Sequence, residues 1–194
     1  MNAPGSKKDS PMTVARPLPK LTVVIGGAAS GKSAFAEALV LASSRPRIYV
    51  ATAEVWDAEM AAKVAAHRAA RGAGWRTVEE PRDIARALRE VSPAEAVLID
   101  CATLWLTNVM LADPAPSDAA LVTAMSDLLA TLAACPAPVV IVTNETGQGI
   151  VPDNALARRF RSTQGTLNQG LAAQAGLVVA VIAGLPLVLK GALP

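Results

Sequence analysis

The chain has 194 residues and a mass of 19.9 kDa, with 52% apolar, 18% charged and 3% aromatic residues and a net charge of +2. This length builds a single domain with its own core, without disulfides or structural metal, and balanced charge with few aromatics argues against a nucleic-acid partner. One histidine, His67, and two well-separated cysteines, Cys101 and Cys135, exclude the common four-ligand zinc patterns and a disulfide scaffold, and read as reduced thiols of a cytoplasmic protein.

Residues 1–20 are rich in Pro, Ser and Lys and lack an apolar signal-peptide segment, so they are expected to form a flexible tail ahead of a single domain over 21–194. Strand and helix patterns then alternate. The apolar run 21–25 ends in Gly26 and Gly27, residues 33–42 favour a helix, and 47–51 is the next strand. Asp57 caps a predicted helix that Gly72 stops near residue 71. A short strand over 76–79, a helix over 82–91 and an apolar strand over 96–100 follow. After a Pro-Ser-Asp loop at 113–118 come a helix to residue 134, a strand over 138–143 and a long helix over 153–175. Residues 171–189 carry no formal charge, but Gly176, Gly184 and Pro186 divide them, so two buried strands are predicted there rather than a membrane span. Continuous apolar strands alternating with helices indicate a mostly parallel sheet covered on both faces.

The octapeptide Gly26, Gly27, Ala28, Ala29, Ser30, Gly31, Lys32 and Ser33 fits G-x-x-x-x-G-K-[ST] at every fixed position. Glycines let backbone N–H groups curl around phosphate oxygens, and the helix that follows presents its positive end to them. Lys32 is placed to reach the β- and γ-phosphates, and Ser33 to bind Mg²⁺. The second Mg²⁺ ligand is expected at the end of another apolar strand, where Asp100 stands; Glu145 is its rival. His67 shares a helical face with Met60, Lys63 and Val64, and periodicity alone makes it a structural residue. Lys63, Arg68, Arg71 and Arg76 form either a solvated face or a triphosphate clamp.

In ordered combination these motifs resemble the bifunctional adenosylcobinamide kinase / adenosylcobinamide-phosphate guanylyltransferases of cobalamin biosynthesis. The matching stretches are the phosphate loop at 26–33, Tyr-Val-Ala-Thr at 49–52, Asp-Ala-Glu-Met at 57–60, His67-Arg68, and Trp-Arg-Thr-Val-Glu at 75–79. They continue with Asp-Cys-Ala-Thr-Leu-Trp-Leu-Thr-Asn at 100–108, Thr-Asn-Glu-Thr-Gly-Gln-Gly-Ile-Val-Pro at 143–152, and Phe160-Arg161 through Asn168-Gln169. The resemblance implies a RecA-like P-loop NTPase fold and two reactions. The first moves the terminal phosphoryl of ATP or GTP to the aminopropanol hydroxyl of adenosylcobinamide. The second transfers GMP from GTP to that phosphate through a guanylylated histidine, for which His67 stands in position. The resemblance further implies a GTP site lined by Ala51, Thr52, Ala53, Arg68, Ala69, Ala70, Arg71, Glu79 and Cys101, Mg²⁺ as cofactor, and assembly into a homo-oligomer, a trimer in this family.

Three positions depart from the family pattern: Ala29 and Thr166 stand where arginine is usual, and Ser162 where aspartate is usual. These departures leave open an enzyme that has kept guanylyl transfer and lost the kinase step. A third reading, a non-catalytic P-loop switch, predicts no need for His67. Trp75 is read either as packing near the base or as core; Trp56 and Trp105 are read as packing.

Overall fold

The structure is a computed structural model that describes residues 16–54, 61–62, 65, 68–69, 71–112 and 114–194. Seven strands form one sheet: β1 (Leu21–Gly26), β2 (Arg47–Ala51), β3 (Trp75–Glu79), β4 (Ala96–Asp100), β5 (Val139–Asn144), β6 (Leu177–Ile182) and β7 (Leu185–Lys190). Among the described residues, the complete helices are α1 (Lys32–Ala42), α2 (Ile84–Leu88), α3 (Ala102–Met110), α4 (Asp118–Ala134) and α5 (Ala155–Gln174). Of the helix predicted over 57–71, residues 61–62, 65 and 68–69 are helical, while His67 and Ala70 lie outside the described residues, as do Trp56, Asp57, Met60, Lys63 and Val64.

The strand order is β3-β2-β4-β5-β1-β6-β7. All neighbouring pairs are parallel except β6–β7. The central strands are apolar at successive positions because both faces are covered, and the period of two sorts their side chains. Val23, Ile48, Val50, Val97, Ile99, Val139 and Ile141 face α2 to α5, whereas Val24, Tyr49, Leu98, Val140 and Val142 face α1. This is the expected mostly parallel α/β domain with both faces of the sheet covered.

Four local expectations change. The helix predicted over 82–91 is only the five-residue α2, whose entry is held by the buried carboxylate of Glu80 and the Asp83 cap. Helix α3 was not predicted; it starts directly after β4, with the Cys101 sulfur accepting from the Leu104 amide at 3.4 Å. The strand pair after Gly176 is not buried throughout: β6 is mostly buried, but every residue of β7 is exposed. β7 returns antiparallel through a two-residue turn in which Ala183 and Gly184 both have positive φ, 52° and 80°. Pro186 is tolerated because β7 is an edge strand. Finally, Leu18 already packs against the α1-side core, so the stretch expected as tail meets the fold before β1. No helix among the described residues is long and apolar enough to cross a membrane.

Candidate functional site

The parallel strands put Gly26, Ala51, Glu79, Asp100 and Asn144 at one edge of the sheet, the carboxyl edge, where open α/β sheets bind ligands. Gly26 is paired with Asn144, and the Glu145 amide donates to the Gly26 carbonyl at 3.1 Å. From Gly26 the chain turns through 27–31 into α1. Gly31 caps the helix with φ 89°, and the Ser30 amide closes back on the Gly27 carbonyl at 3.3 Å. A Cβ on Gly26 would lie 2.5 Å from the Ser30 Oγ and 2.6 Å from the Val181 carbonyl oxygen, so no larger residue fits. The exposed loop tip is Gly27, Ala28 and Ala29, the last with φ 55° and only a methyl group to offer a ligand. Lys32 folds back over this loop, its ammonium donating to the Gly27 carbonyl at 3.0 Å. Ser33 lies half-buried in the first turn of α1. Loop, lysine and helix N-terminus thus stand together at the end of β1, where the motif places them.

Asp100 ends β4 on the α1 side of the sheet, and Oδ2 of its carboxylate accepts a hydrogen bond from the Tyr49 hydroxyl at 3.0 Å. Burial and the neighbouring Asp100 charge raise the Tyr49 pKa far above the ordinary phenol, so Tyr49 remains a donor. The Arg71 guanidinium lies over the Tyr49 ring, 3.4 Å from its centroid, with Nε and Nη1 buried and lacking a hydrogen-bond partner among the described residues. The rival carboxylate, Glu145, caps its own turn, accepting from the Gly147 amide at 2.6 Å.

The other residues expected at the site divide into two groups. Ala51 and Ala53 are half-buried, while Glu79, Arg68 and Ala69 are exposed. Thr52 and Cys101, by contrast, are buried and bonded to each other. The Thr52 hydroxyl donates to the Cys101 carbonyl at 2.8 Å and accepts from the Cys101 amide at 2.6 Å. They splice the end of β2 to the end of β4. Burial and the Asp100 charge push the Cys101 thiol up to about 11, so it stays neutral near pH 7. Both cysteines are free and buried. Trp75 starts β3, at the sheet end opposite the phosphate loop, where it meets Tyr49 edge-on and lies under the Arg47 guanidinium. Trp105 is core, its ring N–H donating to the Arg82 carbonyl at 2.8 Å.

A buried polar network that residue patterns alone left without a role supports the edge from below. Thr143 donates to Asn168 Oδ1 at 2.7 Å, Gln164 donates to Thr143 Oγ1 at 3.0 Å, and Asn168 donates to the Asn144 carbonyl at 3.0 Å. The Thr103 hydroxyl accepts from the Asn144 amide at 2.8 Å. The network locks the backbone of Asn144, the residue paired with Gly26. Its signal in the sequence is Gln164 and Asn168, four apart within the apolar stripe of Leu167 and Leu171. Ser162 and Thr166, the two departures on the same helix, are exposed. Beside this network, a mostly apolar cavity of about 540 Å³ opens between α3, the 146–152 segment and the first half of α5, with Met110, Ile150, Leu156 and Phe160 in its wall.

The donor set at the edge suits Mg²⁺. Among the described residues no cluster of three or more His, Cys, Asp or Glu side chains could hold an ion by itself. Mg²⁺ needs no such cage, since it binds through one or two protein oxygens together with substrate phosphates and water. Ser33 and Asp100 supply hard oxygens of that kind.

Comparison with known proteins shows the family. A family model described as "Cobinamide kinase / cobinamide phosphate guanyltransferase" matches residues 22–189. The chain is 43% identical over 171 residues to "Bifunctional adenosylcobalamin biosynthesis protein CobP" of Pseudomonas aeruginosa, covering 87% of this chain and 96% of that protein. It is 42% identical over 182 residues to "Bifunctional adenosylcobalamin biosynthesis protein CobU" of Salmonella typhimurium, covering 88% and 99%. A solved structure from Pyrococcus horikoshii OT3, "Structural study of Project ID PH0250", is similar in fold, with a TM-score of 0.53 at 8% identity over 91% of this chain and 88% of that one. The chain belongs to the family of bifunctional cobinamide kinases / cobinamide phosphate guanyltransferases.

Proposed function

We propose that this chain performs both reactions of its family at the one phosphate loop, with His67 as the covalent carrier of GMP. In the first reaction the aminopropanol hydroxyl of adenosylcobinamide attacks the γ-phosphorus of ATP or GTP. The bond to the β,γ-bridging oxygen breaks, the nucleoside diphosphate leaves and the hydroxyl loses its proton. In the second, a neutral imidazole nitrogen of His67 attacks the α-phosphorus of GTP and pyrophosphate leaves. A phosphate oxygen of adenosylcobinamide phosphate then displaces the imidazole, giving adenosylcobinamide-GDP.

The observation that carries this reading is the cradle itself: the Gly26–Gly31 turn, Lys32 over its rim, and the α1 N-terminus beside the Asp100 carboxylate strand. Phosphoryl transfer asks a protein mainly for positioning and charge neutralisation, and Lys32 with the loop amides offers both. Ser33 and Asp100 are the residues that would hold Mg²⁺, which when bound neutralises charge on the phosphate oxygens. Arg71, with two buried guanidinium nitrogens unpartnered among the described residues, suits a phosphate group of the nucleotide. Ala51, Ala53, Glu79 and the 68–70 segment complete the nucleotide site in this reading. The mostly apolar cavity beside α5 has the chemistry to take part of the corrinoid body.

The enzyme works in the cytoplasm as a homo-oligomer, a trimer by family resemblance. The exposed apolar residues of β7, including Leu185 at 71% and Leu189 at 59%, support association with further copies.

Incubation with α-labelled GTP tests the carrier. The wild-type chain is expected to form an acid-labile, alkali-stable adduct, and His67→Ala to form none; an adduct retained in that variant refutes the assignment. Incubation with adenosylcobinamide and GTP, with products identified by mass, tests the pair of reactions. Guanylylation of supplied adenosylcobinamide phosphate without phosphorylation of adenosylcobinamide would mean that the kinase step has been lost.

A further inference from the structure

Tyr49 lies in the middle of an inner strand, 5% exposed, yet carries a polar hydroxyl toward the α1 layer. Its ring is fixed by contacts that phenylalanine would make equally well: the Arg71 guanidinium 3.4 Å from the centroid, and the Trp75 ring edge-on at 6.0 Å. Packing therefore accounts for the ring and not for the hydroxyl. The hydroxyl has one hydrogen bond given to a side chain, to Asp100 Oδ2 at 3.0 Å. Asp100 stands half-buried at the end of its strand, and an aspartate has three staggered orientations about its first side-chain bond. A donor on a clamped ring selects one of them. A carboxylate accepts at about four lone-pair positions, so the bond from Tyr49 is compatible with coordination of a cation by the same group.

We propose that Tyr49 is a positioning residue for the metal site, its hydroxyl holding the Asp100 carboxylate in the orientation that meets the cation of the metal–nucleotide complex. This inference rests on the reading of Asp100 as a Mg²⁺ ligand. Partners of this kind behind a metal ligand typically affect metal affinity by about 10- to 100-fold.

Mn²⁺ binding to the full chain with GDP, followed by the electron paramagnetic resonance of free Mn²⁺, tests it without reliance on turnover. Tyr49→Phe is expected to weaken Mn²⁺ binding by about 10-fold, while GDP affinity in EDTA and the circular dichroism spectrum stay unchanged. Asp100→Asn is expected to weaken Mn²⁺ binding at least as much, and Tyr49→Phe to add nothing further in that background. If Asp100→Asn weakens Mn²⁺ binding and Tyr49→Phe changes it less than twofold, the positioning role is refuted and the Asp100 reading stands. If neither variant matters, the Asp100 reading falls and the proposal with it. A Tyr49→Phe chain that fails to fold, or that loses GDP affinity equally in EDTA, shows that the hydroxyl serves structure and overturns the proposal.

Discussion

The carboxyl edge of β4, β5 and β1 and the outer edge of the sheet at β7 invert the usual distribution of side chains in opposite ways. At the first, polar groups are buried: Thr52, Thr103, Asn108, Thr143, Gln164 and Asn168 are all at most 8% exposed. Most of their bonds go to the backbone or to one another, as where Asn108 donates to the Thr52 carbonyl at 2.7 Å and to the Pro81 carbonyl at 3.1 Å. At the second, apolar groups are exposed, with Ile182, Leu185, Leu187 and Leu189 all more than half open to solvent. A buried polar group costs stability unless satisfied, so a network that is bonded at most of its atoms, Gln164 Oε1 lacking a partner among the described residues, marks backbone whose position matters. An exposed apolar edge has no such internal purpose and fits the proposed association of copies. Perturbing the first edge should therefore damage the single chain, and perturbing the second should damage only its association.

The largest expected effect is on chemistry. Lys32→Ala should lower phosphoryl transfer at least about 10²-fold, roughly 3 kcal/mol of transition-state stabilisation, without changing the thermal midpoint. A parallel loss of folding stability would mean that its bond to Gly27 is structural. Next, Gln164→Ala should destabilise the fold by about 3 kcal/mol, read from denaturant unfolding, because it opens a cavity and removes a donor to Thr143. A change under about 0.5 kcal/mol would show that the network does not hold the edge.

Glu80 offers a third test, just outside the edge. Burial alone would raise its pKa, but hydrogen bonds from the Asp83 and Arg82 amides and the Arg86 guanidinium outweigh burial and hold it below 4.5. A depressed native pKa makes its contribution full above the unfolded value and lost as pH falls through the native one. Glu80→Gln should thus cost on the order of 2 kcal/mol at pH 7, and the cost should shrink toward zero on acidification below 4.5. A cost independent of pH would remove the carboxylate from the explanation. The smallest effect on the isolated chain belongs to Leu187→Lys, within about 0.5 kcal/mol because the residue is exposed. Its solution mass should nonetheless fall to that of a single chain; an unchanged assembly would place the interface elsewhere.

Local patterns carried far in this chain. The phosphate loop was legible residue by residue, since its glycines and the strand before it are contiguous. So was the parallel sheet, because strands buried on both faces leave continuous apolar runs. Helix α3 was not, because its nine residues sit directly against β4 and read as an extension of the apolar stretch. The exposure of β7 was equally hidden, as Leu-Pro-Leu-Val-Leu has the composition of a core strand and only its place in the strand order leaves it uncovered.

Sequence by itself determined the phosphate loop, the carboxylate at the end of β4, the sole histidine and the family that these motifs share. All of these depend on neighbours along the chain or on ordered motifs. Tertiary structure decided that Asp100 accepts from Tyr49 while Glu145 caps its own turn, that Thr52 and Cys101 bind each other, and that Gln164 and Asn168 brace Asn144. Those bonds join residues up to 51 positions apart, brought together by strand order. Periodicity reports which face a residue occupies, and only the packed sheet determines what waits for it there.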